Sequence, residues 1–257
     1  MAVRPAAERA WSGAVAVDRS RPPVVRITLT GANGNRLDRA TVAGLTDAVL
    51  RAERTPGTRL LVLDAVGDVF CAGVALEDLE DPDWRRWVSA LHRLMTALID
   101  SPLVTVALVD APVVGGGVGL VAACDQVLVG PAARFRLTEV VLGLVPALVL
   151  PLVVHRVGAA AALSLALSAT ELTAREALAA GLADRSSDEV EQALRTLVAR
   201  IRVTDHSAVA AVKRHHAALT TRGLEPVGAV LELLEGRLAD PATGARIARF
   251  RGQGVIP

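Results

Sequence analysis

The segment Ala111–Pro146, APVVGGGVGLVAACDQVLVGPAARFRLTEVVLGLVP, decides the reading of this chain. An apolar, strand-like run, Val104–Asp110, feeds into Val113-Val114-Gly115-Gly116-Gly117-Val118-Gly119, and a helical apolar stretch, Leu120–Cys124, follows. Three glycines between a strand and a helix let the backbone approach another group closely. The first N–H groups of a helix have no partner inside it and lie at the positive end of its dipole, which suits a developing anion. Glu139 is the only acidic residue between Asp125 and Glu171. A backbone anion site followed by one isolated carboxylate reads as enolate chemistry: donors hold a carbonyl oxygen while the carboxylate moves the α-proton.

These residues resemble the crotonase (enoyl-CoA hydratase/isomerase) superfamily. The resemblance is carried in order by Phe70-Cys71-Ala72-Gly73-Val74-Ala75-Leu76, the triple glycine, and Thr138-Glu139-Val140-Val141-Leu142-Gly143-Leu144-Val145-Pro146. It extends from about Val15 to about Leu219. Gly117–Asp125 and Pro146–Pro151 are similar to one branch, the dehydratases of polyketide β-branching cassettes. These remove water from a 3-hydroxy-3-methylglutaryl group on an acyl carrier protein. The resemblance implies an α/β fold, a spiral of ββα units with a helical C-terminal trimerisation region. It divides the chain into a core over 1–200 and an oligomerisation region over 201–257.

The same resemblance implies the site. Glu139 is the catalytic carboxylate, and the backbone N–H groups of Val74 and Gly116 form the oxyanion hole. Gly115, Gly117, Gly119, Ala72, Leu142 and Pro146 are expected around the substrate, and Lys213 near the pantetheine. Hydratases of the family use two glutamates. The position of the first is Gly119 here and that of the second is Glu139, so one carboxylate is missing. Ala75 stands where many relatives have Asp. An apolar setting around Glu139, among Phe135, Leu137 and Val140–Leu142, would raise its pKa. The distal carboxylate of a glutaryl substrate needs a cation, with Arg134, Arg136, His155 and Arg156 as candidates.

Other readings of these residues stay open. The glycines also suit a tight turn with close packing, Glu139 a surface carboxylate, and Lys213 a solvated helix face. A double-bond isomerase with a single glutamate fits the same motif. So does a non-catalytic member that binds acyl carriers, whose marker would be a collapsed pocket with Glu139 turned outward.

Composition narrows the rest. The chain has 257 residues, 52% of them hydrophobic, and a formal charge of +1. No basic run is interleaved with aromatics, which argues against nucleic acid. Apolar runs such as Leu142–Val154 are broken by glycine and proline, so no membrane span is expected. Met1–Trp11 has no apolar signal region, and the expected compartment is the cytoplasm. Cys71 and Cys124 are expected as buried thiols. His215-His216, being adjacent, face different sides of a helix, and no metal is expected. No cofactor is expected beyond the substrate's own CoA or acyl-carrier thioester. The expected partners are that substrate and further copies of the chain, as a trimer or hexamer.

Local signals predict the elements. Ala14–Asp18 and Val24–Thr30 read as a hairpin behind a loose leader, Met1–Gly13. Gly31–Arg36 reads as a loop. Asp38 is placed as N-cap of a helix to Arg54. Leu60–Ala65 reads as a buried strand. Glu80–Trp87 reads either as a lid carrying Trp84 and Trp87 or as the start of an amphipathic helix. Thr173 and Glu176 form a capping box.

Overall fold

The computed structural model describes residues 9–12, 14–220 and 224–253. The expected leader falls partly outside this range, at residues 1–8 and 13. Its described part is not loose: β1 (Arg9–Ser12) pairs antiparallel with β2 (Val15–Arg21), which pairs antiparallel with β3 (Val24–Leu29). The segment read as a loop contains a helical turn, α1 (Ala32–Asn35). Helix α2 (Arg39–Arg54) starts where Asp38 predicts, because that carboxylate accepts the Thr41 N–H at 2.7 Å. Next come β4 (Leu60–Ala65), α3 (Leu76–Glu80), α4 (Trp84–Asp100) and β5 (Val104–Val109).

The glycine-rich segment supplies β6 (Pro112–Val114) and α5 (Gly116–Ala122), followed by β7 (Gln126–Val129) and β8 (Arg134–Arg136). A 3₁₀ turn, Glu139–Leu142, precedes α6 (Leu150–Val157) and α7 (Ala159–Ser168). Then follow β9 (Leu172–Thr173), α8 (Ala174–Ala180), β10 (Arg185–Ser186) and α9 (Val190–Arg202). Helix α8 carries the predicted capping box. The chain closes with α10 (His206–Leu219), α11 (Val227–Leu238) and α12 (Pro241–Gly252).

Seven strands form one sheet in the order β1-β2-β3-β4-β5-β7-β10, parallel from β3 onward. A second sheet has the order β6-β8-β9. Of the parallel strands, β4, β5 and β7 are buried on both faces over most of their length, which explains their apolar runs. Leu61, Leu63, Ala107 and Val109 face the main core, while Leu60, Val62, Val106 and Leu108 face a smaller core closed by Leu194 and Leu197 of α9.

The Glu80–Trp87 segment resolves in favour of the amphipathic helix. Trp87 lies in α4, is 3% exposed, and packs in the main core; Trp84 is half-buried under the Arg85 guanidinium. The helices after residue 201 do not stand apart from the core. Val230 and Leu234 of α11 and Ile247 of α12 are buried in it. Val212 and Leu219 of α10 stay exposed. Both cysteines are buried. Among the described residues, no helix is long and apolar enough to cross a membrane.

Replacing the Asp38 cap tests the local reading. Asp38→Ala should cost about 1 kcal/mol of stability, read as a lowered urea midpoint with an unchanged slope. An unchanged midpoint would show that the cap contributes nothing.

Candidate active site

Two loops meet at the N-terminus of α5. Phe70 N–H donates to Pro112 O at 2.9 Å, Val114 N–H to Cys71 O at 2.9 Å, and Leu37 N–H to Gly73 O at 2.8 Å. These bonds hold the Cys71–Val74 loop against β6. Gly73 has φ +87°, and a β-carbon there would lie 2.9 Å from Val114 O and 3.5 Å from Gly116 N. Only glycine allows that conformation and that approach. The approach brings the Val74 and Gly116 backbones onto the wall of one cavity.

Glu139 begins the 3₁₀ turn opposite. Gly115, at φ +50°, leaves room for it: a β-carbon there would sit 3.2 Å from Glu139 Oε1. Glu139 is half-buried as a residue, but its Oε2 is shut off from solvent and has no hydrogen-bond partner. Burial pushes its pKa up to about 7; the backbone N–H groups of Glu139 itself and Thr138 pull the other way. Burial also raises the Cys71 thiol to about 12, which keeps it neutral and poorly nucleophilic.

The turn carrying Glu139 is held from the C-terminal helices. Arg237 Nε donates to Gly143 O at 2.8 Å, Thr243 Oγ1 donates to the same oxygen at 3.3 Å, and an Arg246 guanidinium N–H donates to Val141 O at 3.3 Å. Gly143 ends the turn at φ +81°, with Thr243 Oγ1 3.0 Å from where its β-carbon would be.

Val74, Gly116, Glu139 and Leu144 are shared by two cavities. The larger, about 480 Å³, is the mouth, where Ala72, Gly115 and Leu142 join Arg36, Arg136 and Phe250. The smaller, about 60 Å³, is apolar and lined by Trp87, Leu91, Pro146, Leu148, Val149 and Leu234 among others. Glu139 is its only charged wall residue among those described.

The structure therefore brings together Glu139, Val74, Gly116, Gly115, Ala72, Leu142 and Pro146. Two expected glycines serve packing instead. A β-carbon at Gly117 would meet Cys71 Cβ at 2.8 Å, and one at Gly119 would meet Met95 Cε at 2.9 Å and Val149 Cγ2 at 3.0 Å. Lys213 is also corrected. Its ammonium donates to Asp125 Oδ2 at 2.5 Å and Leu103 O at 2.8 Å, and its side chain is 14% exposed. It pins α10 to the loop before β7, outside the wall of either cavity.

Of the four candidate cations for a distal carboxylate, only Arg136 reaches the mouth. Arg156 is bound to Asp184 and Cys124 O, and Arg134 to Pro131 O and Ala133 O. His155 lies edge-on to His216, with ring centroids 5.6 Å apart. Arg36, Leu234 and Phe250 were missed as site residues, while Trp87 was read only as part of a lid or of helix packing. They come from distant segments, and no local pattern marks them.

A half-buried carboxylate sharing a cavity wall with Val74 and Gly116, on an α/β core closed by C-terminal helices, is a crotonase arrangement. The solved structure of an enoyl-CoA hydratase from Mycobacterium avium is 28% identical and covers 90% of this chain and 92% of that one, with TM-score 0.81. That of the polyketide-biosynthesis enoyl-CoA hydratase PksH from Bacillus subtilis is 25% identical and covers 96% and 100%, with TM-score 0.85.

The chain belongs to the enoyl-CoA hydratase/isomerase family, whose profile matches residues 20–232. Its relatives include hydratases and a dehydratase, which places it among the lyases of that family. It is 28% identical to the bacillaene synthase dehydratase PksH of Bacillus subtilis over 214 residues, 81% of this chain and 83% of that protein. It is 39% identical to a Thermus thermophilus protein assigned as an enoyl-CoA hydratase, over 158 residues; that match spans 59% of this chain and 62% of the relative.

The raised pKa of Glu139 has a consequence for stability. The unfolded chain ionises the group near its ordinary value, the folded chain only near pH 7. The folded state therefore holds more protons between those values. Its contribution is fully present below the unfolded pKa and is lost as pH rises to about 7, in all about 3 kcal/mol. Glu139→Gln, neutral throughout, should gain about that much on wild type between pH 4.5 and pH 8, read by urea unfolding. A pH-independent difference between the two proteins would contradict a carboxylate that resists ionisation.

Proposed function

We propose that the chain dehydrates a 3-hydroxyacyl thioester, with 3-hydroxy-3-methylglutaryl on an acyl carrier protein as substrate and 3-methylglutaconyl as product. The observation that carries the reading is the lone Glu139 carboxylate, its Oε2 buried and unpaired, on a cavity wall shared with Val74 and Gly116. The Glu139 carboxylate removes the α-proton. The thioester oxygen gains charge and is held by the Val74 and Gly116 N–H groups, which are fixed before reaction. The protonated Glu139 then gives its proton to the 3-hydroxyl, which leaves as water as the C2–C3 double bond forms. One carboxylate serves both steps when the elimination is syn, and it ends ionised as it began.

The distal carboxylate of a glutaryl chain fits the mouth better than the inner cavity. Arg136 and Arg36 border the mouth, whereas the inner cavity has no cationic wall residue among those described. The similarity to the synthase dehydratase PksH over four-fifths of both chains supports the dehydratase reading. The second reading is a double-bond isomerase that moves a proton between carbons with the same Glu139. A non-catalytic carrier-binding member is less well supported, since Glu139 faces inward onto an open cavity. The exposed apolar residues of α10, with Leu163 and Leu167 of α7, support a homotrimer or a hexamer.

The reaction is tested by incubating 3-hydroxy-3-methylglutaryl-carrier protein with the enzyme and following intact mass for loss of one water. The expected kcat/KM is higher for the carrier-bound than for the CoA thioester. A shift of the double bond in an enoyl thioester without water loss would favour the isomerase. Glu139→Gln should lower kcat by about 10²–10⁴ with little change in ligand affinity. A folded variant keeping more than about a tenth of wild-type turnover would defeat the assignment. Light scattering at micromolar concentration should give a trimer or its multiple; a stable monomer would remove that part of the proposal.

A further inference from the structure

The 3₁₀ turn that carries Glu139 satisfies only its first carbonyls from within. Val141 N–H donates to Thr138 O at 3.0 Å, Leu144 N–H to Glu139 O at 2.9 Å, and Gly143 N–H to Val140 O at 3.1 Å. The carbonyl of Val141 takes its donor from Arg246, and that of Gly143 from Arg237 and Thr243. Carbonyls drawn away from water need partners, so side chains of α11 and α12 complete the turn.

Arg237 is the centre of this arrangement. Its three guanidinium nitrogens go to three places: Nε to Gly143 O at 2.8 Å, Nη2 to Thr243 Oγ1 at 3.0 Å, and Nη1 to Asp240 Oδ2 at 3.2 Å. One side chain on α11 thus joins the Glu139 turn, α12 and the link between the two helices. Thr243, 1% exposed, accepts from Arg237 and donates to Gly143 O in turn. The fork is specific to arginine, because lysine carries one nitrogen where three are used.

We propose that Arg237 is a positioning residue of the active site: through Gly143 O it fixes the turn, and the turn keeps the Glu139 carboxylate in its apolar seat. This deepens the reading in which Glu139 is both base and acid, and rests on it. Arg237 lies outside the walls of both cavities, so it acts through Glu139 and not on the substrate. Its hold is passed along the backbone, since the N–H groups of Gly143 and Leu144 are tied to the carbonyls of Val140 and Glu139. Released at Gly143, the turn can rotate and let its carboxylate reach the water of the mouth. A hydrated carboxylate ionises more readily and is a weaker base.

The titration of Glu139 separates this role from general support of the fold. The protein would be labelled with ¹³C at the glutamate side-chain carboxyls, and the Glu139 signal assigned by its loss in Glu139→Gln. The wild-type midpoint is expected at about 7. Arg237→Ala should lower it by about one unit or more, toward an ordinary carboxylate. The other charged groups on the cavity walls, Arg36, Arg136 and Glu171, are left in place by this substitution. Val230→Ala, which removes core packing from the same helix but none of the three Arg237 bonds, should leave the midpoint unchanged. Arg237→Lys should behave as Arg237→Ala. Free guanidinium, at concentrations too low to denature, should restore the midpoint in Arg237→Ala, whose vacated site is reachable because the arginine side chain is 38% exposed. In turnover, Arg237→Ala should lose about tenfold to a hundredfold in kcat, with KM within about twofold of wild type.

Thr243→Val carries the same test should Arg237→Ala fail to fold: it removes one donor to Gly143 O and keeps the side-chain shape, and it should lower the midpoint in the same direction. An unmoved midpoint in the folded variant, or an equal shift in Val230→Ala, would overturn the proposal. So would a wild-type midpoint in Arg237→Lys. The titration needs no substrate, so it is read separately from water loss, whose absence would instead defeat the dehydratase reading.

Discussion

The structure depends on keeping one carboxylate out of water without giving it a counter-charge. Glu139 Oε2 is buried and unpaired, with an apolar cavity on one side and a glycine backbone on the other. An ionised carboxylate in such a place is costly, and the cost appears as a pKa near neutrality. A cation close by would lower that cost and lower the pKa with it, leaving a weaker base. The arginines of the mouth instead find other partners: Arg136 donates to Ala169 O at 2.8 Å, and Arg36 lies 3.7 Å from Glu77. The local fold is arranged so that the carboxylate has little choice of position. Gly115 makes room for it, and the 3₁₀ turn aims it.

That turn is short and could not hold its own geometry. Its last carbonyls are unsatisfied within it, as at any helix end. Arg237, Thr243 and Arg246 supply the donors, from helices about a hundred residues later in sequence. The same helices place Leu234 in the inner cavity and Phe250 at the mouth. Arg251 pairs with Glu80, and Arg85 with Glu235, tying α12 and α11 to the segment around Trp87. The C-terminal helices are thus part of the site, and any surface for subunit contact on them is a second use of the same elements.

Local chemistry was legible in the sequence, and convergence was not. Asp38, the Thr173–Glu176 box and the apolar run Leu60–Ala65 act within a few residues of themselves, so their sequence signals suffice. Glu139 was legible because it stands alone in an apolar stretch, and the paired loops because their motifs are distinctive. The glycines show the limit. Gly73 and Gly115 admit the site, whereas Gly117 and Gly119 admit Cys71, Met95 and Val149; one-letter code does not separate these uses. Lys213 was expected near the pantetheine from the family resemblance, but its partner Asp125 lies 88 residues away. Trp87 and Arg36 reach the site through tertiary packing alone, without a motif.

Gly119 connects packing to mechanism. A glutamate at this position would give a second carboxylate, but its β-carbon alone would be within 3.0 Å of Met95 and Val149. Met95 Cε ends a flexible side chain and can shift, whereas Val149 is branched and buried, so a glutamate here needs local repacking of the core. In the proposed dehydration, with a single group available, the base that takes the α-proton must also be the acid that gives it up. Such a group works best when neither proton state is strongly preferred at the working pH. The desolvation that makes Glu139 expensive to ionise brings it to that balance, which ties the cost of burial to the chemistry of the proposed one-carboxylate elimination.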